Sequence, residues 1–227
     1  MLGPDEWQAV FLSLQVSLMA TLVSLPIGLF VAWALARWRF PGHGVLNVLV
    51  HLPLILPPVA TGYLLLAAFG RRGPVGSFLE ESLGIVLAFR WTGAVLAAAI
   101  MGFPLMVRAM RLAFEAVDPK LEAAAATLGA SRLRVFLTVV LPLSLPGVLA
   151  GAVLAFAKAM GEFGATITFV SNIPGETRTL PSALYAFLQV PGGDASAWRL
   201  VVISIIIAVL ALVGSEWLAR RMKRVHL

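Results

Sequence analysis

The sequence of 227 residues contains no cysteine and little charge: Asp, Glu, Lys and Arg together make up 12% of it. Without cysteine there is no disulfide framework, no thiolate metal site and no cysteine nucleophile. Soluble globular chains carry about 25% charged and about 45–50% apolar residues. Here 60% of the residues are hydrophobic and mean hydropathy is +0.94. This balance excludes an ordinary water-soluble domain, and also a disordered chain, which needs low hydrophobicity and high charge. The only lysines are Lys120, Lys158 and Lys223, preceded by Pro, Ala and Met, so the Gly-Lys-Ser/Thr of a phosphate-binding loop is missing. His43, His51 and His226 have no metal-ligand spacing. Asp5, Asp118 and Asp194 all fall outside the long apolar runs, and Ser131 sits in a basic connection. An intramembrane hydrolase would need a nucleophile and base within reach of each other, so an enzyme is not expected.

Long uncharged runs are abundant. Trp7 to Ala36, Phe40 to Gly70, Trp91 to Val107 and Leu200 to Ser215 carry no Asp, Glu, Lys or Arg, and Pro146 to Val170 carries only Lys158 and Glu162. A membrane-spanning helix needs about 20 mostly apolar residues. The expected architecture is therefore all-α and polytopic: one transmembrane domain over 1–227, with five spans at about 8–36, 45–69, 91–112, 146–170 and 199–219. A long connection covers 113–142. The first run follows an acidic start, Asp5-Glu6, whereas a cleaved signal peptide begins basic, so a retained helix is expected. Its length exceeds the roughly 30 Å hydrocarbon core, which predicts a tilt or a kink near Pro26. Gly147-x-x-x-Gly151 permits close helix approach.

The net charge of +6 would suggest a nucleic-acid partner in a soluble protein. In a membrane protein it records threading. Of the 17 basic residues, eleven fall in one set of connections: Arg37, Arg39, Arg108, Arg111, Lys120, Arg132, Arg134, Arg220, Arg221, Lys223 and Arg224. Arg71, Arg72, Arg90, Arg178 and Arg199 fall in the other, and Lys158 lies within a span. The positive-inside rule assigns the richer set to the cytoplasm. It predicts an outside N-terminus, a cytoplasmic C-terminus, a lipid-bilayer environment and no nucleic-acid partner.

The connection between spans three and four is unusually well specified. Asp118 can cap a helix opening with Pro119, the segment Leu121 to Leu128 is alanine-rich and helix-favouring, and Gly129 supplies a left-handed stop. Ser131 can cap a second helix leading back to the membrane. A helix, a sharp turn and another helix are expected to project from the bilayer as a knuckle. A mere connection is usually short. This one is long, basic, and low in relief at its alanines, as suits a surface gripped by another protein.

The knuckle resembles the EAA loop of permease subunits in binding-protein-dependent ABC importers: Glu-Ala-Ala, three residues, Gly, nine residues, an aliphatic residue, one residue, then Leu-Pro. From Gly129 through Val139 to Leu141-Pro142 the spacing matches in full. Upstream, Ala123 occupies the glutamate position and Glu122 lies one residue earlier, turned by about 100° of helix, which leaves open what its carboxylate contacts. Beyond the loop, Gly161-Glu162-Phe163-Gly164-Ala-Thr-Ile-Thr-Phe-Val-Ser-Asn-Ile-Pro-Gly-Glu-Thr-Arg-Thr, Phe40-Pro-Gly, His51-Leu-Pro-Leu with Pro57-Pro58, and Gly70-Arg-Arg-Gly73 resemble the permease subunit of molybdate importers over nearly the whole chain. Some members carry an additional N-terminal helix, which is not expected here. The resemblance implies a homodimer of this chain docked on two copies of an ATP-binding subunit, with ATP and Mg²⁺ held there and no cofactor in this chain. It implies a molybdate-binding protein on the outer face and alternating access in an inner membrane. Glu122, Ala123, Ala124, Gly129, Ala130, Ser131 and Arg132 are the residues implied to dock the ATPase. Tungstate is a further candidate substrate. A sulfate or thiosulfate permease of the same fold is the nearest alternative, and an ion-coupled carrier or channel is the alternative of another class.

Lys158 and Glu162 would each cost about 2.5–3.5 kcal/mol at a membrane-helix centre on an insertion scale. Their i, i+4 spacing predicts one helix face, in the weaker Lys-before-Glu order, so a polar cavity or a partner on another helix is expected to compensate them. Two readings stand: the pair braces a bent helix or a gate, or Lys158 lends positive potential to an anion path. Phe163 and Gly164 share that stretch, with Gly161 and Gly164 positioned for a bend. Ser171 to Trp198 is either a lid and docking face or a plain solvated loop. Within it, Leu180 to Val190 is too short to span.

Overall fold

The computed structural model describes residues 3–223. Arg224 and His226, invoked above, lie outside the described residues. Every regular element among the described residues is helical. Helix α1 (Pro4–Arg37) opens with a proline at its first position, and Glu6 reaches back to accept the Gly3 N–H at 2.8 Å. It runs through Pro26 without ending, for a length of about 50 Å, more than a bilayer core needs. Helix α5 (Trp91–Glu115) is the central element. Its small and flexible residues Ala94, Ala97, Ala98, Met101, Met106 and Met110 are almost wholly buried, because it packs against both α1 and α8 (Leu141–Met160).

Glycine sets the closeness of that packing. A Cβ on Gly147 would lie 2.3 Å from the Ala113 Cβ, and one on Gly151 would lie 2.9 Å from the Met106 carbonyl oxygen. The Gly-x-x-x-Gly spacing thus brings α8 onto α5 at backbone distance, as read from the sequence.

Three expected boundaries are corrected. The span at 45–69 is two helices, α2 (His43–Ile55) and α3 (Pro58–Phe69), bent by 114°. Pro57 and Pro58 both lack an N–H, and proline pushes its predecessor out of the helical region; Leu56 and Pro57 are accordingly extended. The span at 146–170 is displaced. Helix runs continuously from Arg132 to Met160, through α7 (Arg132–Val135), a wider π turn at Phe136–Val140, and α8. It stops at Gly161, and Gly164–Val170 forms the separate helix α9. The connection at 113–142 is consequently shorter, since α5 persists to Glu115 and helix resumes at Arg132.

The remaining elements are α4 (Pro74–Leu83), α6 (Pro119–Thr127), α10 (Leu180–Leu188) and α11 (Asp194–Lys223). At the end of the bundle far from the knuckle, α10 packs on α11 and α1, and the Ser13 hydroxyl accepts the Leu180 N–H at 2.6 Å. This segment is part of the bundle, which removes the reading of 171–198 as a plain solvated loop. The same end is clasped by Arg199, whose guanidinium donates to both carboxylate oxygens of the buried Glu6, the shortest contact being 2.6 Å. Among the described residues, four helices are long and apolar enough to cross a membrane, or five if the bent α2–α3 pair counts as one span.

Candidate coupling and gating site

The knuckle forms as its sequence dictates. The Asp118 carboxylate accepts the Lys120 N–H at 2.9 Å, capping α6 behind Pro119. Gly129 has φ +83°, a left-handed conformation that costs other residues roughly 1–2 kcal/mol. The Ser131 hydroxyl then accepts the Arg134 N–H and starts α7. Ala123, Ala124, Gly129, Ser131 and Arg132 are exposed together, with Ala130 half-buried beneath them. A residue the sequence reading missed stands at the tip: Leu128 is 88% exposed. Its place beside the helix-stopping glycine was the available signal, because a leucine at the end of a projecting loop has no core to enter.

Glu122 turns inward. Its carboxylate meets the Arg37 guanidinium at the end of α1, at 2.6 Å, while Arg37 also donates to the Val117 carbonyl at 2.9 Å. The offset glutamate therefore ties the knuckle to the first span. Trp33 and Phe136 stack 4.8 Å apart beside this contact.

The second constellation is the junction where the two interrupted spans meet. Gly164, at the start of α9, lies so close to α3 that a Cβ on it would be 2.6 Å from the Pro58 Cβ. A Cβ on Gly62 would be 2.5 Å from the Ala165 carbonyl oxygen. The break at Pro57–Pro58 thus packs directly on the break at Gly161–Phe163. Lys158 and Glu162 lie here, in an arrangement that corrects the expectation of one continuous helix face. Lys158 is in the last turn of α8, and Glu162 follows the Gly161 that ends it. The two nevertheless pair at 2.7 Å. The other Glu162 oxygen accepts the Ala165 N–H at 2.9 Å, so the carboxylate also satisfies the exposed N-terminus of α9. Glu162 is 2% exposed. Its compensation comes from Lys158 and the local backbone, and no partner on another helix holds it among the described residues. Phe163 stacks on Tyr185 of α10 with ring centroids 5.2 Å apart, fastening the break to the far end of the bundle. No group of three or more His, Asp or Glu among the described residues has the arrangement of a metal site.

The family of binding-protein-dependent transport system inner membrane components matches residues 24–224. The chain is 63% identical over 219 residues to the molybdenum transport system permease protein ModB of Escherichia coli (strain K12), covering 96% of each. Its fold superposes on a chain of the MetNI methionine ABC transporter in an inward-facing conformation, with a TM-score of 0.74, 18% identity, and coverage of 98% of this chain and 99% of that one. It also superposes on a chain of a bacterial alginate ABC transporter solved with its alginate-pentasaccharide-bound periplasmic protein, with a TM-score of 0.71, 17% identity, and coverage of 98% and 79%. An all-helical multi-span chain, a capped knuckle and these likenesses together establish that the protein belongs to the inner-membrane permease components of binding-protein-dependent ABC importers.

Proposed function

We propose that this chain is the permease subunit of an ATP-driven molybdate importer. The observation that carries the substrate is the 63% identity to a molybdenum permease across 96% of both chains. Two copies of the chain form the translocation path between them, and each presents its knuckle to one of two ATP-binding subunits, which hold ATP and Mg²⁺. Ala123, Ala124, Gly129, Ala130, Ser131 and Arg132 form the docking surface, with Leu128 as its apolar tip. Glu122 transmits movement of that surface to α1 through Arg37. A molybdate-binding protein delivers the dianion to the opposite face, where α10 and the Ser171–Thr179 loop lie. The N-terminus is outside and the C-terminus cytoplasmic, in keeping with the positive-inside count.

The junction of interrupted spans is the gate. Backbone interrupted within the membrane is tolerated only where protein or a cavity covers it, and here each break covers the other. Lys158 and Glu162 keep the junction closed while making it nearly neutral, so it does not trap a dianion. Phe163 and Gly164 set how far it can part.

The test is reconstitution with the ATP-binding subunit and the binding protein in proteoliposomes. ATP-dependent molybdate accumulation that excess sulfate does not suppress is the expected result. Uptake without ATP would sink the importer reading, and preferential sulfate uptake would sink the substrate.

A further inference from the structure

The positive charge in this chain is not at the gate. Lys158 is neutralised by Glu162, whereas Arg39 and Arg108, between the gate and the knuckle, have no ion partner among the described residues. A cavity of about 290 Å³ opens there between α2 and α5, lined by Asn47, His51, Arg108, Arg111, Leu112 and Glu115. Positions 108, 111, 112 and 115 follow the i, i+3, i+4, i+7 spacing of one helix face, and 47 and 51 do the same on α2. The wall is built. Arg111 donates from Nε to Glu115 at 2.7 Å and from Nη1 to the Asn47 side-chain oxygen at 3.1 Å, which fixes its planar fork across the gap between the helices. His51 Nδ1 donates to the Asn47 carbonyl at 2.8 Å. Glu115 is thereby engaged, and Arg108 is left exposed with no hydrogen bond or ion pair among the described residues. An adjoining cavity of about 310 Å³ shares Arg111 and Glu115 and adds Arg37, Arg39 and His43. Glu115 is the only carboxylate lining either cavity, against four arginines.

Arg37 and Arg111 are each paired with a glutamate, which leaves Arg39 and Arg108 as net positive charge on a concave surface; such a surface concentrates counter-ions, and guanidinium forks match tetrahedral oxyanions in shape and donor spacing. We infer that Arg108 and Arg111 form a weak oxyanion site on the knuckle side of the gate, an exit station that receives the dianion after the junction parts and passes it toward Arg39. This deepens the importer reading and rests on it. Weakness is part of the function, since conduction needs sites that release as readily as they bind. A lipid phosphate presents the same oxygen geometry, so the occupant has two possible sources, which experiment separates.

The experiment uses the purified permease–ATPase complex without the binding protein. Binding of radiolabelled molybdate, with sulfate in parallel, is measured by equilibrium dialysis, and co-purified lipid phosphorus is assayed on the same samples. The Arg108 side chain makes no hydrogen bond or ion pair among the described residues that Arg108→Gln would break, so the variant is expected to fold; Arg72→Gln, on the surface expected outside, removes the same charge as a control. Saturable binding that falls about fivefold or more in Arg108→Gln, as the loss of a charge-assisted contact predicts, and persists in Arg72→Gln upholds an oxyanion station. Loss of lipid phosphorus alone in Arg108→Gln upholds the site with a lipid phosphate as its occupant. Neither quantity changing overturns it. If wild-type proteoliposomes accumulate sulfate in place of molybdate while the Arg108 dependence persists, the substrate reading fails and the station stands.

Discussion

The knuckle and the gate junction are both interruptions of helix, but different forces build them. The knuckle is exposed and locally encoded: a cap at Asp118, a left-handed glycine at 129 and a second cap at Ser131, all within fourteen residues of chain. The junction is buried and encoded at long range. Gly62 and Gly164 have room for no side chain because each faces backbone or proline from the other broken span. On the function proposed above, a loop gripped by a partner must hold its shape unaided. A gate, by contrast, must hold its shape only through contacts that can be undone together.

That contrast can be broken experimentally, and the junction should be the more fragile side. Lys158→Met leaves the buried Glu162 carboxylate without its ion partner, a loss of about 3–5 kcal/mol for a buried pair and less here because the ammonium is partly exposed. Thermal unfolding of the purified permease should shift down and ATP-driven uptake should fail, with partial recovery of stability in Lys158→Met/Glu162→Gln; full uptake by the single variant would remove the pair from the gate. Gly62→Val, forced against the Ala165 carbonyl, should cost about 1–3 kcal/mol by overpacking and reduce uptake. Wild-type stability in that variant would mean the two spans do not touch as described.

On the knuckle side, Gly129→Ala should cost about 1–2 kcal/mol of local strain. It should weaken co-purification of the ATP-binding subunit while leaving the unfolding temperature of the spans within a degree or two. An unfolding transition that drops as far as in Gly62→Val would erase the distinction between the two regions. The smallest effect belongs to Glu122→Gln. The pair is partly shielded, with 18% of the Arg37 and 26% of the Glu122 side chain exposed, and the amide keeps the carboxylate's shape, so the cost is about 1 kcal/mol; assembly should be nearly normal while the number of ATP molecules hydrolysed per molybdate imported rises. An unchanged ratio would detach Arg37 from coupling.

The legibility of the sequence follows the same division. Caps, alanine runs and the Gly129 stop are short-range signals, and the structure reproduces them. Charge-free runs located the spans, yet composition does not report direction within a run. The 114° turn at Pro57–Pro58 and the stop at Gly161 were hidden inside stretches that are apolar throughout. Proline stands at the first place and glycine at the second, but each is tolerated in membrane helices, as Pro26 and Pro104 illustrate by passing without a break. The partner of Glu122 was out of reach because Arg37 is 85 positions away in the chain. The cavity at Arg108 is hidden for a related reason: in the sequence its two arginines bear only on orientation, and a count of charges carries no geometry.

The unbroken helix from Arg132 to Met160 makes the proposed docking surface and the proposed gate two ends of one lever. Its 29 residues span about 43 Å. A 5° tilt imposed at the knuckle becomes a displacement of about 4 Å at Met160 by that length, comparable to the separations that close the junction. The π turn at Phe136–Val140 sits near the driven end and not at the middle. Whatever compliance its wider hydrogen bonding brings is therefore spent close to the input.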